Sequence, residues 1–161
     1  MNPYAAQLGQ QDPLAVIEST PGELAKLVEV LGSGGLKKSL GPGKWNAREI
    51  LCHLADTEIA FAFRLRQALA ETHHVIQPFD QDAWARSYAS CEARVALEAF
   101  AGLRRWNVGL IRNLPSETMS KTLTHPERGA MTFRVLVETM AGHDLNHLGQ
   151  LKTIAARAVS E

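Results

Sequence analysis

Phe133-Arg134-Val135-Leu136-Val137-Glu138-Thr139-Met140-Ala141-Gly142-His143-Asp144-Leu145-Asn146-His147-Leu148-Gly149-Gln150-Leu151 decides the fold. Every third or fourth residue gives Phe133, Leu136, Met140, His143, His147, Leu151 and Ile154, an apolar seam of helical period carrying two imidazoles. The seam predicts a helix over 132–157, capped by Thr132, with Met131 and Leu136 stapling its first turn. An imidazole on a core stripe needs partners for its ring nitrogens, because each buried polar group left unsatisfied costs about 1–3 kcal/mol. Residues four apart rise about 6 Å along one side of a helix, a gap that two rings bridge by pointing at one ion.

The same period recurs upstream. Asn46 and Glu49 form a capping box, Trp45 and Ile50 stand at the positions of a hydrophobic staple, and Ile50, Leu54, Phe61 and Leu65 mark the inward face of a helix over 47–70. Thr20-Pro21-Gly22-Glu23 is a second capping box with proline at the first helical position, followed by Leu24, Leu27, Val28 and Leu31 until Gly32; it predicts a helix over 21–31, preceded by a short turn at 14–18. Ser90 is the candidate cap of a helix over 90–114, whose face runs through Leu97, Phe100, Leu103, Asn107, Leu110, Ile111 and Leu114 to Pro115. Gly102 and Gly109 inside it fit either close packing of a neighbour or simple tolerance. Five glycines and Pro42 make residues 32–43 a loop. The 71–89 connection loses periodicity and predicts a lid or wall with one short extra helix around Pro78 to Trp84. Strand signals are nearly absent, so the expectation is all-α: one four-helix bundle domain over 1–161.

Composition narrows the partners. Seventeen basic and seventeen acidic residues are interspersed, so no basic stripe invites nucleic acid or anionic lipid. No secretory leader or stretch approaching the ~18 residues of a membrane span is visible, which predicts a cytoplasmic protein with neither nucleic-acid nor membrane partners. Cys52 and Cys91 have no CxxC spacing and read as buried small hydrophobes.

One turn into the second predicted helix, His53 stands beside the stripe of Ile50 and Leu54. If that helix packs on the last one, His53, His143 and His147 converge as an open-coordination metal site; otherwise each is satisfied separately in the core or at the surface. Three neutral imidazoles would leave coordination positions for a water or a thiol. Zinc suits the donor set, and nickel, iron or manganese would also accept it.

Trp45-Asn46-Ala47-Arg48-Glu49-Ile50-Leu51-Cys52-His53-Leu54-Ala55-Asp56-Thr57-Glu58, then Phe79-Asp80-Gln81-Asp82-Ala83-Trp84, then the terminal His143-Asp144-Leu145-Asn146-His147-Leu148-Gly149-Gln150-Leu151 resemble, in order and separation, the DinB/YfiT-like superfamily. The resemblance spans nearly the whole chain. It implies a bundle of up-down-down-up connectivity and a divalent metal held by His53, His143 and His147. It also implies a bacterial enzyme using a low-molecular-weight thiol such as bacillithiol, mycothiol or glutathione. The leading expectation is therefore a metal-dependent S-transferase acting on a small electrophile, in a homodimer. A metal-dependent hydrolase with Glu58 or Asp56 as base is the alternative, and a non-catalytic stress-related binding bundle the third reading.

Around the three histidines, Asp56 is a candidate partner for the other nitrogen of His53. Glu58 reads as a base, an extra ligand or an ordinary helix ion pair. Gln150 is a candidate for a bound water or substrate, Arg64 for a substrate carboxylate and His125 for the pocket mouth, against plain surface or loop roles for each. Asp144 is expected to face away, and His73 and His74 to lie at the surface. Cys52 points about 100 degrees from His53 and makes a poor fourth ligand. Trp84, Trp106, Phe79 and Phe133 read as core or as pocket walls, and Gly142 and Gly149 as places for close backbone approach.

Overall fold

A computed structural model describes residues 2–159 of the chain. Four long helices form the bundle: α2 (Pro13–Gly35), α3 (Ala47–Ala70), α5 (Ala93–Arg112) and α6 (Phe133–Val159). Two short helices, α1 (Ala5–Leu8) and α4 (Gln81–Ala85), lie outside them. Within the bundle α2 packs chiefly on α6 and α3 on α5, so each long helix buries one stripe toward the others.

Helix α3 starts where its cap dictates: the Asn46 side chain accepts from the Glu49 N–H at 3.0 Å, and the Glu49 carboxylate accepts from the Asn46 N–H at 2.8 Å. In α6 the Thr132 hydroxyl accepts from the Val135 N–H, and Phe133, Leu136, Met140, Leu151 and Ile154 are all buried. That seam matches its sequence period.

Helix α2 departs from the sequence expectation. It begins eight residues earlier than predicted, at Pro13, where the Asp12 side chain accepts from the Leu14 N–H, and Pro21 sits inside it. Thr20 caps nothing; its hydroxyl donates to the Val16 carbonyl and is fully buried. A proline within a helix withholds an N–H from the carbonyl four residues back, here that of Ile17. A guanidinium nitrogen of Arg104 donates to that carbonyl instead, at 2.9 Å. Helical backbone geometry breaks at Gly32, whose φ of 56° favours glycine.

Helix α5 starts at Ala93 rather than at Ser90, because Tyr88–Ser90 already form a separate 3₁₀ turn. Its buried stripe runs through Phe100, Arg104, Asn107 and Ile111, and Leu103 is only half-buried. A second departure is a small sheet of β1 (His74–Val75), β2 (Thr122–His125) and β3 (Gly129–Thr132). Strand β1 pairs parallel to β2, and β2 pairs antiparallel to β3. His74, expected at the surface, is buried in β1, and its Nδ1 bonds a Glu71 carboxylate oxygen at 2.9 Å. His73 is exposed. Cys91 is only partly buried. The sheet hangs on the end of the bundle from which α6 departs and helps to wall the cavity described below.

Among the described residues, no helix is long and apolar enough to cross a membrane.

Candidate metal centre

His53 from α3 and His143 and His147 from α6 meet inside the bundle, all three buried. One nitrogen of each ring lies within 4.8 Å of the others. The Nε2 atoms of His53 and His143 are 3.0 Å apart, and the ring centroids of His143 and His147 4.5 Å. The i,i+4 spacing on α6 stacks two rings on one side, and the packing of α3 on α6 brings the third.

Burial pushes the His53 imidazole down to about 3, with the neighbouring His147 adding to the shift. Burial also holds His143 well below the usual histidine range, helped by both other rings. His147 is pushed down by burial, against the upward pulls of Gln150 and Asp144. All three are neutral at physiological pH, the form that binds metal.

The donor set fits a divalent cation on grounds internal to the structure. Along the short Nε2–Nε2 contact only one of His53 and His143 can carry its hydrogen, so at least one Nε2 lone pair there faces the other ring. His147 is oriented by Gln150, whose side-chain oxygen accepts from Nδ1–H at 2.9 Å and so leaves Nε2 as the free donor atom. His53 Nδ1 has no hydrogen-bond partner among the described residues, while the Trp45 ring packs 4.7 Å from its centroid.

Beside the histidines lies a buried ionic cluster. Arg104 donates to both carboxylate oxygens of Glu58, at 3.0 and 2.8 Å, and to both of Asp144. The two carboxylates hold the guanidinium firmly charged despite its burial. Burial pushes the Glu58 carboxyl up, but its oxygens receive only N–H donors, including the Asn107 amide at 2.7 Å, the pattern of an ionised acceptor. Two carboxylates against one guanidinium leave an excess negative charge next to the imidazoles, which favours a cation there.

Several expected roles change on this geometry. Asp144, expected to face away, is 1% exposed and one of the arginine's two counterions. Glu58 is occupied by Arg104 and Asn107 and is not free as a base or ligand. Asp56 accepts from the Tyr88 hydroxyl at 2.9 Å rather than from His53. Burial and the adjacent Cys91 raise the Cys52 thiol to about 11, which keeps it protonated and a poor ligand.

Two cavities flank the three histidines along the bundle axis. One of about 180 Å³ is lined by His53 and His143 together with Tyr4, Phe61, Arg64, Phe79 and His125 among others. The other, about 280 Å³, is lined by His147, Gln150, Trp45 and Ile50 among others. Arg64 and His125 thus line the first cavity, and His125 belongs to a strand rather than a loop. Burial, then Arg128, pushes the His125 imidazole down toward its neutral form. Of the candidate aromatic walls, Phe79 lines the first cavity and packs on Trp84, Phe133 is core, and Trp106 is exposed.

Tyr4 is a wall residue that sequence reasoning did not find. A Cβ on Gly142 would lie 2.5 Å from the Tyr4 Cβ, so only glycine lets the first segment of the chain reach α6 there. The Tyr4 ring then stands edge-on to His143 at 5.4 Å. Gly142 next to the first histidine of the pair was the available signal. Gly149 has open space instead.

A four-helix bundle with three buried histidines turned toward one point defines a class of metal-binding helical proteins. The chain belongs to the DinB superfamily, whose sequence model matches residues 17–151. A protein of Oceanobacillus iheyensis, provisionally named a metal-dependent hydrolase, is 30% identical over 142 residues, 88% of this chain and 83% of its own length. A Bacillus cereus protein with the same provisional name is 28% identical, over 88% of this chain and 82% of its own. Among solved structures, YfiT from Bacillus subtilis, described as a probable metal-dependent hydrolase with an unusual four-helix bundle topology, superposes with a TM-score of 0.84 at 23% identity. The match covers 90% of this chain and 85% of that one.

Proposed function

We propose that this chain is a metal-dependent hydrolase acting on a small molecule, with His53, His143 and His147 holding one divalent ion, zinc being the first choice. The observation that carries the reading is the convergence of three neutral, buried imidazoles on one point, with Gln150 fixing the tautomer of His147. Curated relatives across 88% of the chain carry names of that activity. When bound, such an ion supplies Lewis acidity and lowers the pKa of a coordinated water or thiol.

The chain's own groups do the rest. His53 and His143 face the smaller cavity, where Phe61 and Phe79 exclude water from a ligand's apolar part. His125, held neutral and accepting from the Glu127 N–H through Nδ1, keeps Nε2 for a proton at the cavity wall. Arg104 fixes Asp144 and Glu58 and thereby the helical turns that carry His143 and His53.

A thiol S-transferase is the second reading, and one observation favours it. Glu58 and Asp56 are both engaged elsewhere, and a thiolate nucleophile needs no carboxylate base to activate it. Elemental analysis of untagged protein, followed by turnover of small esters and amides with and without added thiol, separates the two. Thiol-independent hydrolysis lost in His147→Ala supports the hydrolase, and conjugation that requires thiol supports the transferase. Less than about 0.2 metal per chain in protein never exposed to chelator overturns both, because a buried three-histidine site retains its ion.

A further inference from the structure

The cavity on the His143 side has an electrostatic character that metal binding does not explain. Arg64 on α3 and Arg128 on the turn between β2 and β3 both line it. Each guanidinium lies within range of the other's charge, and Arg64 is pushed down first by burial and then by Arg128. Among the described residues, neither has a carboxylate within 4 Å; Glu127 lines the same cavity without pairing to them. Arg64 is nevertheless well fixed: one terminal nitrogen donates to the Gln77 carbonyl at 3.2 Å, and its Cζ stands 5.9 and 5.6 Å from the Phe61 and Phe79 ring centroids. One N–H of a five-donor fork is spent on that carbonyl, so the rest remain for a ligand.

We propose that this cavity takes a small carboxylate-bearing molecule, with the carboxylate between Arg64 and Arg128 and the body against Phe61 and Phe79. Two like charges facing one space, with no carboxylate paired to either, are stabilised by an anion, and a guanidinium fork matches the planar carboxylate. Two guanidiniums against the single carboxylate of Glu127 leave one positive charge in the lining, which suits a monoanion over a phosphate dianion. The cavity of about 180 Å³ holds on the order of six water-sized groups at ~30 Å³ each, the size of a four-carbon acid. Only the fate of the ligand's other end rests on the metal-dependent reading, since His53 and His143 line the same space.

The test is an NMR titration of the whole protein with sodium butyrate and, as the uncharged twin, butyramide, run on zinc-loaded and zinc-depleted samples whose zinc content is measured. Butyrate is expected to bind both samples at least about tenfold more tightly than butyramide. Arg64→Gln and Arg128→Gln are each expected to weaken it about tenfold, and Arg64→Lys less. Arg128 is exposed on a turn, so its variant reports on binding whatever happens to α3 in the Arg64 variants. Equal binding of butyramide, or butyrate binding indifferent to Arg128→Gln, overturns the proposal. Butyrate binding confined to the zinc-loaded sample also overturns it, because the probe is then only a metal ligand. Arginine-dependent binding in protein that takes up no divalent metal when loading is attempted supports the anion site and overturns the metal-dependent reading alone.

Discussion

Pro21 and Arg104 are matched across two helices: the proline leaves the Ile17 carbonyl without its helical donor, and the guanidinium supplies one at 2.9 Å. The same guanidinium reaches Glu58 on α3 and Asp144 on α6, so one side chain of α5 bonds to all three other bundle helices. Pro21→Ala would give Ile17 a backbone donor and make that Arg104 contact redundant. In a double-mutant cycle, Pro21→Ala is therefore expected to be about 1 kcal/mol more favourable in an Arg104→Leu background than in the native one. Arg104→Leu alone is expected to cost roughly 3–5 kcal/mol, since it strands two buried carboxylates. Urea unfolding of the four proteins measures both; equal effects of Pro21→Ala in the two backgrounds would show that the carbonyl is satisfied otherwise.

Gln150 touches no proposed ion, yet it sets which nitrogen of His147 is free. Gln150→Leu should lower zinc affinity about 10–100-fold with little change in metal-free stability. Competition against a chromophoric chelator gives the affinity. At a hundredfold excess of free zinc over Kd, native protein should gain about 2.7 kcal/mol of unfolding free energy, and His53→Ala should gain none.

Metal-free protein should lose stability in mild acid. The His53 imidazole is pushed down to about 3 in the folded state, against about 6.5 in an unfolded chain. Above pH 6.5 both states are neutral and nothing is lost; as pH falls below it, the unfolded chain takes up a proton that the folded one refuses. Between pH 6.5 and 4 this costs on the order of 3 kcal/mol from His53, with His143 acting in the same direction. His53→Ala should flatten the urea midpoint's dependence over that window. An unchanged slope would mean that the rings accept protons without unfolding.

Gly142→Ala sets helix propensity against sterics. Replacing glycine inside a helix usually gains up to about 1 kcal/mol, but the new methyl would meet the Tyr4 Cβ at 2.5 Å and the Tyr4 carbonyl oxygen at 2.6 Å. Displacing the segment around Tyr4 should dominate, with a net loss of about 1–2 kcal/mol and faster proteolysis ahead of residue 12. A raised Tm with unchanged proteolysis would show that the segment gives way without cost.

The sequence made α3, α6 and the three histidines legible because each carried two agreeing signals. Asn46 and Glu49 marked a start that the period of Ile50, Leu54 and Phe61 then confirmed. The beginning of α2 misleads because Thr20-Pro21-Gly22-Glu23 satisfies every local rule for a helix start, whereas the carbonyl that Pro21 leaves open is satisfied by Arg104, 87 residues from Ile17 in the chain. Arg104 is hard to read from the sequence, since arginine is seldom fully buried, although its spacing from Phe100 and Asn107 fits the stripe. Asp144 escapes a reading based on one inward face, because α6 is covered on several sides and buries residues 139–144 without interruption. Strands of two to four residues are too short for any period to show.

The two cavities meet the histidines from opposite ends, His53 and His143 bordering one and His147 the other. The cluster is in effect a partition with a chamber on each side. Each chamber presents a different part of the cluster to whatever enters it, His53 and His143 in one and His147 in the other.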